Sequence, residues 1–159
     1  MSLRRVAVIA PLTLLAASCA PADADGASEL GEQWAAMTNP VFHFEIPVTD
    51  MDRAIGFYQA VFGYQLTRET VDGYEMAFFP RADGEPGASG ALAKGDVYRP
   101  THDGPIIYFT VPDIDAVFAR ATARGSKVLY PKADVGTAGF VGEIEDSEGN
   151  RIALSQPKS

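Results

Sequence analysis

The sequence predicts an α+β fold, in which two tandem βαβββ modules form a cupped, partly closed sheet with the helices outside. A strand-to-helix pattern occurs twice, at residues 40–63 and 105–125, and further short strand patterns follow each helix. One such unit leaves one sheet face open, so two units side by side complete a cup. The predicted domain spans residues 40–157, with module one at 40–95 and module two at 105–157.

The first module opens on a strand and an amphipathic helix. Residues 41–48 are rich in β-branched and aromatic side chains, which favours a strand. Thr49 or Asp50 begins the helix, and Gly63 fits a left-handed cap at its end. The helix has an apolar stripe at helical spacing, made of Met51, Ala54, Ile55, Tyr58, Val61 and Phe62.

Alternation along the first strand separates two faces, because successive side chains of a strand point to opposite sides. Phe42, Phe44 and Ile46 share one face and are expected to pack under the helix. His43 and Glu45 share the other face. The function therefore depends on what lies in front of this second face.

The remaining strands of both modules follow from turn signals. In module one, strands are predicted at 64–71 and 74–80, joined by the hairpin signal Asp72-Gly73, and at 91–94. In module two, the strand at 105–111 precedes a helix that Asp113 caps and Gly125 ends, with Ile114, Val117, Phe118 and Ala121 as its apolar stripe. Three more strands are predicted at 127–130, 140–146 and 151–156.

Composition and charge limit the classes of partner. Of the 159 residues, 47% are hydrophobic, which is typical of a globular protein with a core. The formal net charge is −8, and this disfavours nucleic acids and anionic lipid surfaces, because both reward clustered Lys and Arg. We therefore expect a small-molecule ligand and no nucleic acid partner.

The N-terminus has the features of an export signal. Arg4 and Arg5 precede an apolar run at 6–17 that is too short to span a membrane, since a spanning helix needs about 20 residues. The run leads through small residues to Cys19, the one cysteine of the chain, and resembles the lipobox of bacterial lipoproteins. An ordinary secretory signal cut near Ala20 is the alternative.

If the N-terminus is that of a lipoprotein, residues 1–18 are a signal peptide and residues 19–39 are a flexible tether. Lipidation of Cys19 would then be the only attachment to a membrane. We expect an exported protein of the bacterial cell envelope, at the outer membrane or the periplasmic side.

Four stretches together resemble one protein family: the nine residues from His43, the RAIGFY run from Arg53, Val61-Phe-Gly-Tyr, and the ten residues from Glu145. They are similar to the glyoxalase / bleomycin-resistance / extradiol-dioxygenase superfamily, also called vicinal oxygen chelate proteins. The resemblance implies the duplicated βαβββ fold, a small-molecule site in the cup, and often a homodimer.

Metal-dependent members of that superfamily place up to four ligands on the first and last strands of their modules. The matching positions here are His43, Ala91, Ile106 and Ala153, and only His43 can ligate. A catalytic divalent site needs about three protein ligands. We therefore expect no metal cofactor, with a divalent metal in a rearranged site as the alternative.

The cup face supplies the candidate ligand-binding residues, and no catalytic residue is assigned. Strand alternation and the repeat place on this face His43, Glu45, Tyr108, Thr110, Glu143 and Ser155. His43 has three readings: a core histidine bonded to Glu45 or Tyr108, a polar anchor for a ligand, or a surviving metal ligand joined by Glu45 or Glu143.

Three functions remain open at the level of the sequence. The first is an exported, metal-free binding module for a small organic molecule. The second is a lyase, isomerase or dioxygenase that depends on a divalent metal. The third is a non-catalytic interaction domain of the cell envelope, because a fold does not decide a function.

Overall fold

The computed structural model describes residues 41–82, 84 and 87–158, so the predicted signal peptide, the tether and Cys19 lie outside the described residues. Module one contains β1 His43–Pro47, α1 Met51–Phe62, β2 Thr67–Val71, β3 Tyr74–Phe78 and β4 Ser89–Lys94. Module two contains β5 Ile107–Thr110, α2 Ile114–Thr122, β6 Val128–Asp134, β7 Phe140–Glu145 and β8 Arg151–Gln156, with a 3₁₀ turn at Gly136–Ala138 before β7. Neither described helix is long and apolar enough to cross a membrane.

The strands form two four-stranded sheets with the same internal order. Sheet one is ordered β1-β4-β3-β2, and sheet two is ordered β5-β8-β7-β6. In each sheet the first strand is parallel to the last, and the other pairs are antiparallel. The prediction of two βαβββ modules in an α+β fold is confirmed, and the two sheets remain separate instead of closing into a barrel.

Local capping explains where the first helix starts and ends. Asp50 is the N-cap, and its side chain accepts a hydrogen bond from the Arg53 backbone N–H at 3.0 Å. Gly63 ends the helix with φ at 80°, a conformation that favours glycine, and its N–H donates to the Gln59 carbonyl. Of the two predicted starts, Thr49 and Asp50, the structure selects Asp50.

Both helices and the helix-facing sides of both sheets share one apolar core. Tyr58 is fully buried there, with ring centroids 5.3 Å from Phe79 and 6.2 Å from Phe109 of module two. Phe57 also belongs to the buried face of α1, although the predicted stripe omits it. Phe42 does not, because β1 begins one residue later and leaves Phe42 80% exposed.

A buried carboxylate joins the turn after β7 to α1. Asp146 is 4% exposed and accepts a hydrogen bond from the Tyr58 hydroxyl at 3.0 Å. Asn150 donates to Asp146 at 2.9 Å and, with the same amide group, to the Pro47 carbonyl at 2.8 Å. Desolvation raises the pKa of Asp146, although these hydrogen bonds lower it in part. The end of β1 is thereby fixed against the start of β8.

A second carboxylate of the same turn caps the start of α1. Glu148 accepts from the backbone N–H groups of Thr49 and Asp50, and binds the Arg53 guanidinium at 2.7 and 2.9 Å. Its side chain has no exposed surface. Desolvation raises the pKa of Glu148, but the hydrogen bonds from Arg53 and Thr49 lower it more, and the result is about 2. This inter-module clasp, made of Thr49, Asp50, Arg53 and Glu148, keeps the modules in contact.

Candidate functional site

A groove of about 470 Å³ lies where β1 of module one meets module two. β1 forms one wall, and the inter-module linker with β5 and the start of β8 forms the other. At one end of the groove, the Asn150 amide donates to the Pro47 carbonyl at 2.8 Å and holds the end of β1 against the start of β8. His43 and Glu45 both line the groove, together with Phe44 and Ile46 from the other predicted face of β1.

His43 is held by a serine on the neighbouring strand. Its Nδ1 atom lies 2.6 Å from the Ser89 hydroxyl, which also donates to the Phe42 carbonyl at 3.1 Å. Ser89 stands directly opposite His43 in the parallel pairing of β1 with β4. The ring also lies 6.2 Å, between centroids, from the ring of Phe78. The side chain is half-buried, and Ser89 fixes its orientation.

Glu45 is held at its other oxygen by a tyrosine of the linker. The Tyr98 hydroxyl donates to Glu45 Oε2 at 2.6 Å, and Glu45 Oε1 lies 3.8 Å from His43 Nε2. The hydrogen bond to Glu45, with some desolvation, raises the pKa of Tyr98 to about 12. Tyr98 therefore keeps its proton at neutral pH and remains a donor. We call Ser89, His43, Glu45 and Tyr98 the polar row.

Two members of the polar row were missed by sequence reasoning. The predicted fourth strand begins at Ala91, whereas β4 begins at Ser89. An earlier strand start would have placed Ser89 beside His43, since the last strand of each module pairs with the first. Tyr98 lies in a linker without periodicity, and the sequence holds no signal that could have found it.

The other four candidates lie on sheet two, on the face away from its helix. Register pairs Thr110 with Ser155, and Tyr108 and Glu143 both stand beside Ala153. None of the four belongs to the described lining of the 470 Å³ groove. Tyr108 and Thr110 instead line a smaller cavity of about 200 Å³ together with Ser89. Glu143 Oε2 lies 3.6 Å from Arg151 Nε.

The four positions that hold the metal in metal-dependent relatives do not fit a divalent ion here, because only His43 can ligate. Across residues 41–82, 84 and 87–158, no group of three or more His, Cys, Asp or Glu side chains could hold one ion. Ala91 and Ala153 are fully buried and carry no donor atom. His43 Nε2 and Glu45 Oε1 lie 3.8 Å apart at the groove, and no third His, Cys, Asp or Glu side chain of the described residues joins them at one point, whereas a catalytic site needs about three ligands.

Sequence comparison decides the family. Residues 41–154 match the Glyoxalase/Bleomycin resistance protein/Dioxygenase superfamily. The chain belongs to this superfamily. Members of the superfamily bind small molecules and often dimerise. The match covers both modules and begins just before β1.

Individual relatives agree with that assignment. The chain is 31% identical over 126 residues to a lactoylglutathione lyase of Haemophilus influenzae, covering 75% of this chain and 93% of the relative. It is 32% identical over 118 residues to the putative glyoxylase CFP32 of Mycobacterium bovis, covering 70% of this chain and 43% of the relative. The chain thus spans less than half of that second protein.

A solved structure shares the fold. TnmS3, an antibiotic-binding protein from Streptomyces sp. CB03234, superposes with a TM-score of 0.55 over 77% of this chain and 98% of its own. The two sequences are 23% identical, so the likeness concerns the fold alone.

Proposed function

We propose that this protein binds a small organic molecule in the groove between its two modules, and that it does so without a resident metal. The observation that carries the proposal is the groove itself, whose volume of about 470 Å³ lies in the range of small-molecule sites. Its walls are apolar, with Ile46, Pro47 and Ile107 among the lining residues. His43 and Glu45 add fixed polar groups, which is the usual composition of a ligand site.

Binding without a metal follows from the residue types at the inherited positions. Alanine at 91 and 153 and isoleucine at 106 offer no lone pair to an ion. His43 Nδ1 already contacts Ser89, so Nε2 is the ring nitrogen left for a ligand. The polar row is therefore better suited to orienting a ligand than to holding a cation with open coordination positions.

The proposal is tested by a thermal-shift screen of the purified chain against a library of small organic compounds. We expect compounds that raise the melting temperature of the native chain and of the His102→Ala variant, but not of His43→Ala. His102 is a matched control because it is the other histidine of the chain and pairs with Glu145 outside the groove lining. A screen without stabilising compounds, or hits that keep full affinity in His43→Ala, would contradict the proposal.

A second candidate function is that of a divalent-metal-dependent lyase, isomerase or dioxygenase with a rearranged site. The 31% identity to a lactoylglutathione lyase across 93% of that protein favours it. Elemental analysis of the purified chain separates the two candidates. Stoichiometric zinc, nickel, manganese or iron that is lost in His43→Ala would establish the second and end the metal-free proposal.

Self-association is part of the proposal. The open face of sheet two leaves Tyr108 54% exposed, and Ile106 just before β5 is 37% exposed. Homodimers are frequent in the superfamily, and a second copy would cover such a face. Light scattering of the native chain should give twice the monomer mass, and Tyr108→Glu should shift it towards the monomer. A monomer at all concentrations would refute the dimer.

Attachment to the bacterial envelope through Cys19 completes the proposal. It rests on the lipobox-like sequence before that residue. Mass spectrometry of the N-terminal peptide from cells should find an acylated cysteine at position 19, and the Cys19→Ser variant should lose the modification. An unmodified Cys19, or cleavage at Ala20, would refute the anchor.

A further inference from the structure

An imidazole nitrogen and a carboxylate oxygen lie close together at the wall of the groove. His43 Nε2 and Glu45 Oε1 lie 3.8 Å apart, and neither atom receives a hydrogen bond from the described residues. We propose that this pair binds a protonated amino group, so that the ligand of the groove is an amine with an apolar body. The inference rests on the proposed function and names the class of ligand that it takes.

The contacts of Ser89 determine what His43 offers to a ligand. The hydroxyl has one proton, and its oxygen contacts both the Phe42 carbonyl at 3.1 Å and His43 Nδ1 at 2.6 Å. Both contacts become hydrogen bonds when Ser89 donates to Phe42 and Nδ1–H donates to Ser89. This tautomer leaves the lone pair on Nε2, the atom that lies 3.8 Å from Glu45 Oε1. A ligand that donates at Nε2 selects the same tautomer.

Tyr98 determines what Glu45 offers. Its hydroxyl occupies Oε2 at 2.6 Å, and the free oxygen Oε1 is the one near His43. A single nitrogen between Nε2 and Oε1 can reach both acceptors at normal hydrogen-bond lengths of about 2.8–3.0 Å. An ammonium group has protons for both acceptors and neutralises the carboxylate. A hydroxyl has one proton, and a carboxylate is repelled by Glu45.

The charges around the groove also favour a cation. Glu45 and Asp103 line it, and the carboxylate of Asp103 has no ion pair within the described chain. Arg151 is the cationic lining residue, and its Nε lies 3.6 Å from Glu143. The groove therefore carries an excess of negative charge in a chain whose net charge is −8.

The test compares three probes with the same apolar body: 2-phenylethylamine, 2-phenylethanol and phenylacetate. Each is titrated into the ¹⁵N-histidine-labelled full chain and followed by NMR. We expect the amine to shift the His43 Nε2 resonance and to bind at least about tenfold more tightly than the alcohol, with no binding of the acid. In the free protein, the neutral form of His43 should give the signals of the Nδ1–H tautomer.

Two variants of equal charge change give the matched control. Glu45→Gln should weaken amine binding at least about tenfold. Glu69→Gln removes the same charge from the exposed strand β2, where the Glu69 side chain makes no hydrogen bond or ion pair with the described residues. This variant should leave amine binding unchanged. An equal loss of amine affinity in both variants would show that only the net charge matters, and would overturn the inference. An alcohol that binds as tightly as the amine would overturn it as well.

The failure of this inference differs from failure of the proposed function. Compounds that stabilise the chain through His43 but carry no amino group would refute the amine and leave the binding function intact. A chain that no compound stabilises would refute both. Amine binding that persists in Glu45→Gln but not in His43→Ala would also refute the paired acceptor.

Discussion

The two sheets of the molecule have kept the same interior and changed their open faces. Leu92 of β4 and Leu154 of β8 are 62 residues apart in the duplication, and both are fully buried against a helix. On the open faces, His43 and Glu45 correspond to Ile106 and Tyr108. Packing against a helix restricts the residue type, because a core responds to single methylene changes. An open face is free to acquire a ligand site on one module only.

The connections between the last two strands differ in the same way. In module two this turn carries Asp146 and Glu148, which bind Tyr58 and the start of α1. In module one the equivalent connection is longer, and its described residues make no such clasp to α2. The two carboxylates that tie the modules together in this way, Asp146 and Glu148, therefore come from module two alone. Their contribution to the free energy of unfolding can be measured separately from that of the core.

The largest effect is expected from the equivalent core leucines. Leu92→Ala and Leu154→Ala each remove a side chain that is 0% exposed, and each should lower the free energy of unfolding by about 2–5 kcal/mol. Urea denaturation of both variants measures the costs. If the interiors of the two modules are equivalent, the two losses of unfolding free energy should agree within about 1 kcal/mol. A larger difference would show that the interiors are not equivalent.

A smaller loss is expected from the inter-module clasp. Glu148→Gln keeps the shape of the side chain but removes the charge that binds Arg53, and should cost about 2 kcal/mol. Glu69→Gln, on the exposed face of β2, should cost less than about 0.5 kcal/mol. Equal unfolding midpoints for the two variants would show that the clasp contributes nothing.

The same carboxylate predicts a pH dependence. The folded-state pKa of Glu148 is about 2, below its ordinary value of 4.5, so its contribution to stability is full above pH 4.5. It is lost progressively as the pH falls from 4.5 towards 2. Desolvation raises the pKa of Asp146, so this group changes the stability with pH in the opposite direction. Its effect is the same in the native chain and in Glu148→Gln, and it cancels in their difference. The difference in unfolding free energy between native chain and Glu148→Gln should therefore shrink over this range, and a constant difference would refute it.

The smallest effect on stability is expected from two tyrosine hydroxyls, that of Tyr98 in the linker and that of Tyr108 on the open face of sheet two. Tyr98→Phe and Tyr108→Phe each remove one hydroxyl and should cost less than about 1 kcal/mol. Tyr98→Phe also frees Glu45 Oε2, and it should weaken 2-phenylethylamine binding several-fold, whereas Tyr108→Phe should not. Calorimetric titration with both variants measures this. Identical affinities would show that Tyr98 does not position Glu45.

The sequence predicted those elements whose signals are local. The apolar stripe of α1, the cap at Gly63 and the hairpin at Asp72-Gly73 depend on neighbouring residues, and each has the predicted place within a few positions. The duplication predicted two modules of the same βαβββ order, and the two sheets indeed share one internal strand order. The two-face assignment of β1 did not predict the groove lining, because His43, Phe44, Glu45 and Ile46 from both faces contribute to it.

Contacts between distant residues were not predictable from these signals. Glu148 reads as part of a polar turn, and nothing local indicates that it caps α1 of the other module. Tyr98 reads as a linker residue, and its bond to Glu45 depends on how the linker crosses the sheet. Asn150, which lines the groove, bonds to Pro47, 103 positions away. Such pairings follow from the relative placement of the modules, which periodicity does not encode.

The clasp also sets an order on the assembly of the chain during synthesis. Thr49, Asp50 and Arg53 receive their partner from a residue 95 to 99 positions downstream. When module one has emerged from the ribosome, Glu148, which binds the start of α1, has therefore not yet been synthesised. The first half must wait, with its helix start uncapped by Glu148 and its apolar face uncovered, until nearly the last strand has emerged.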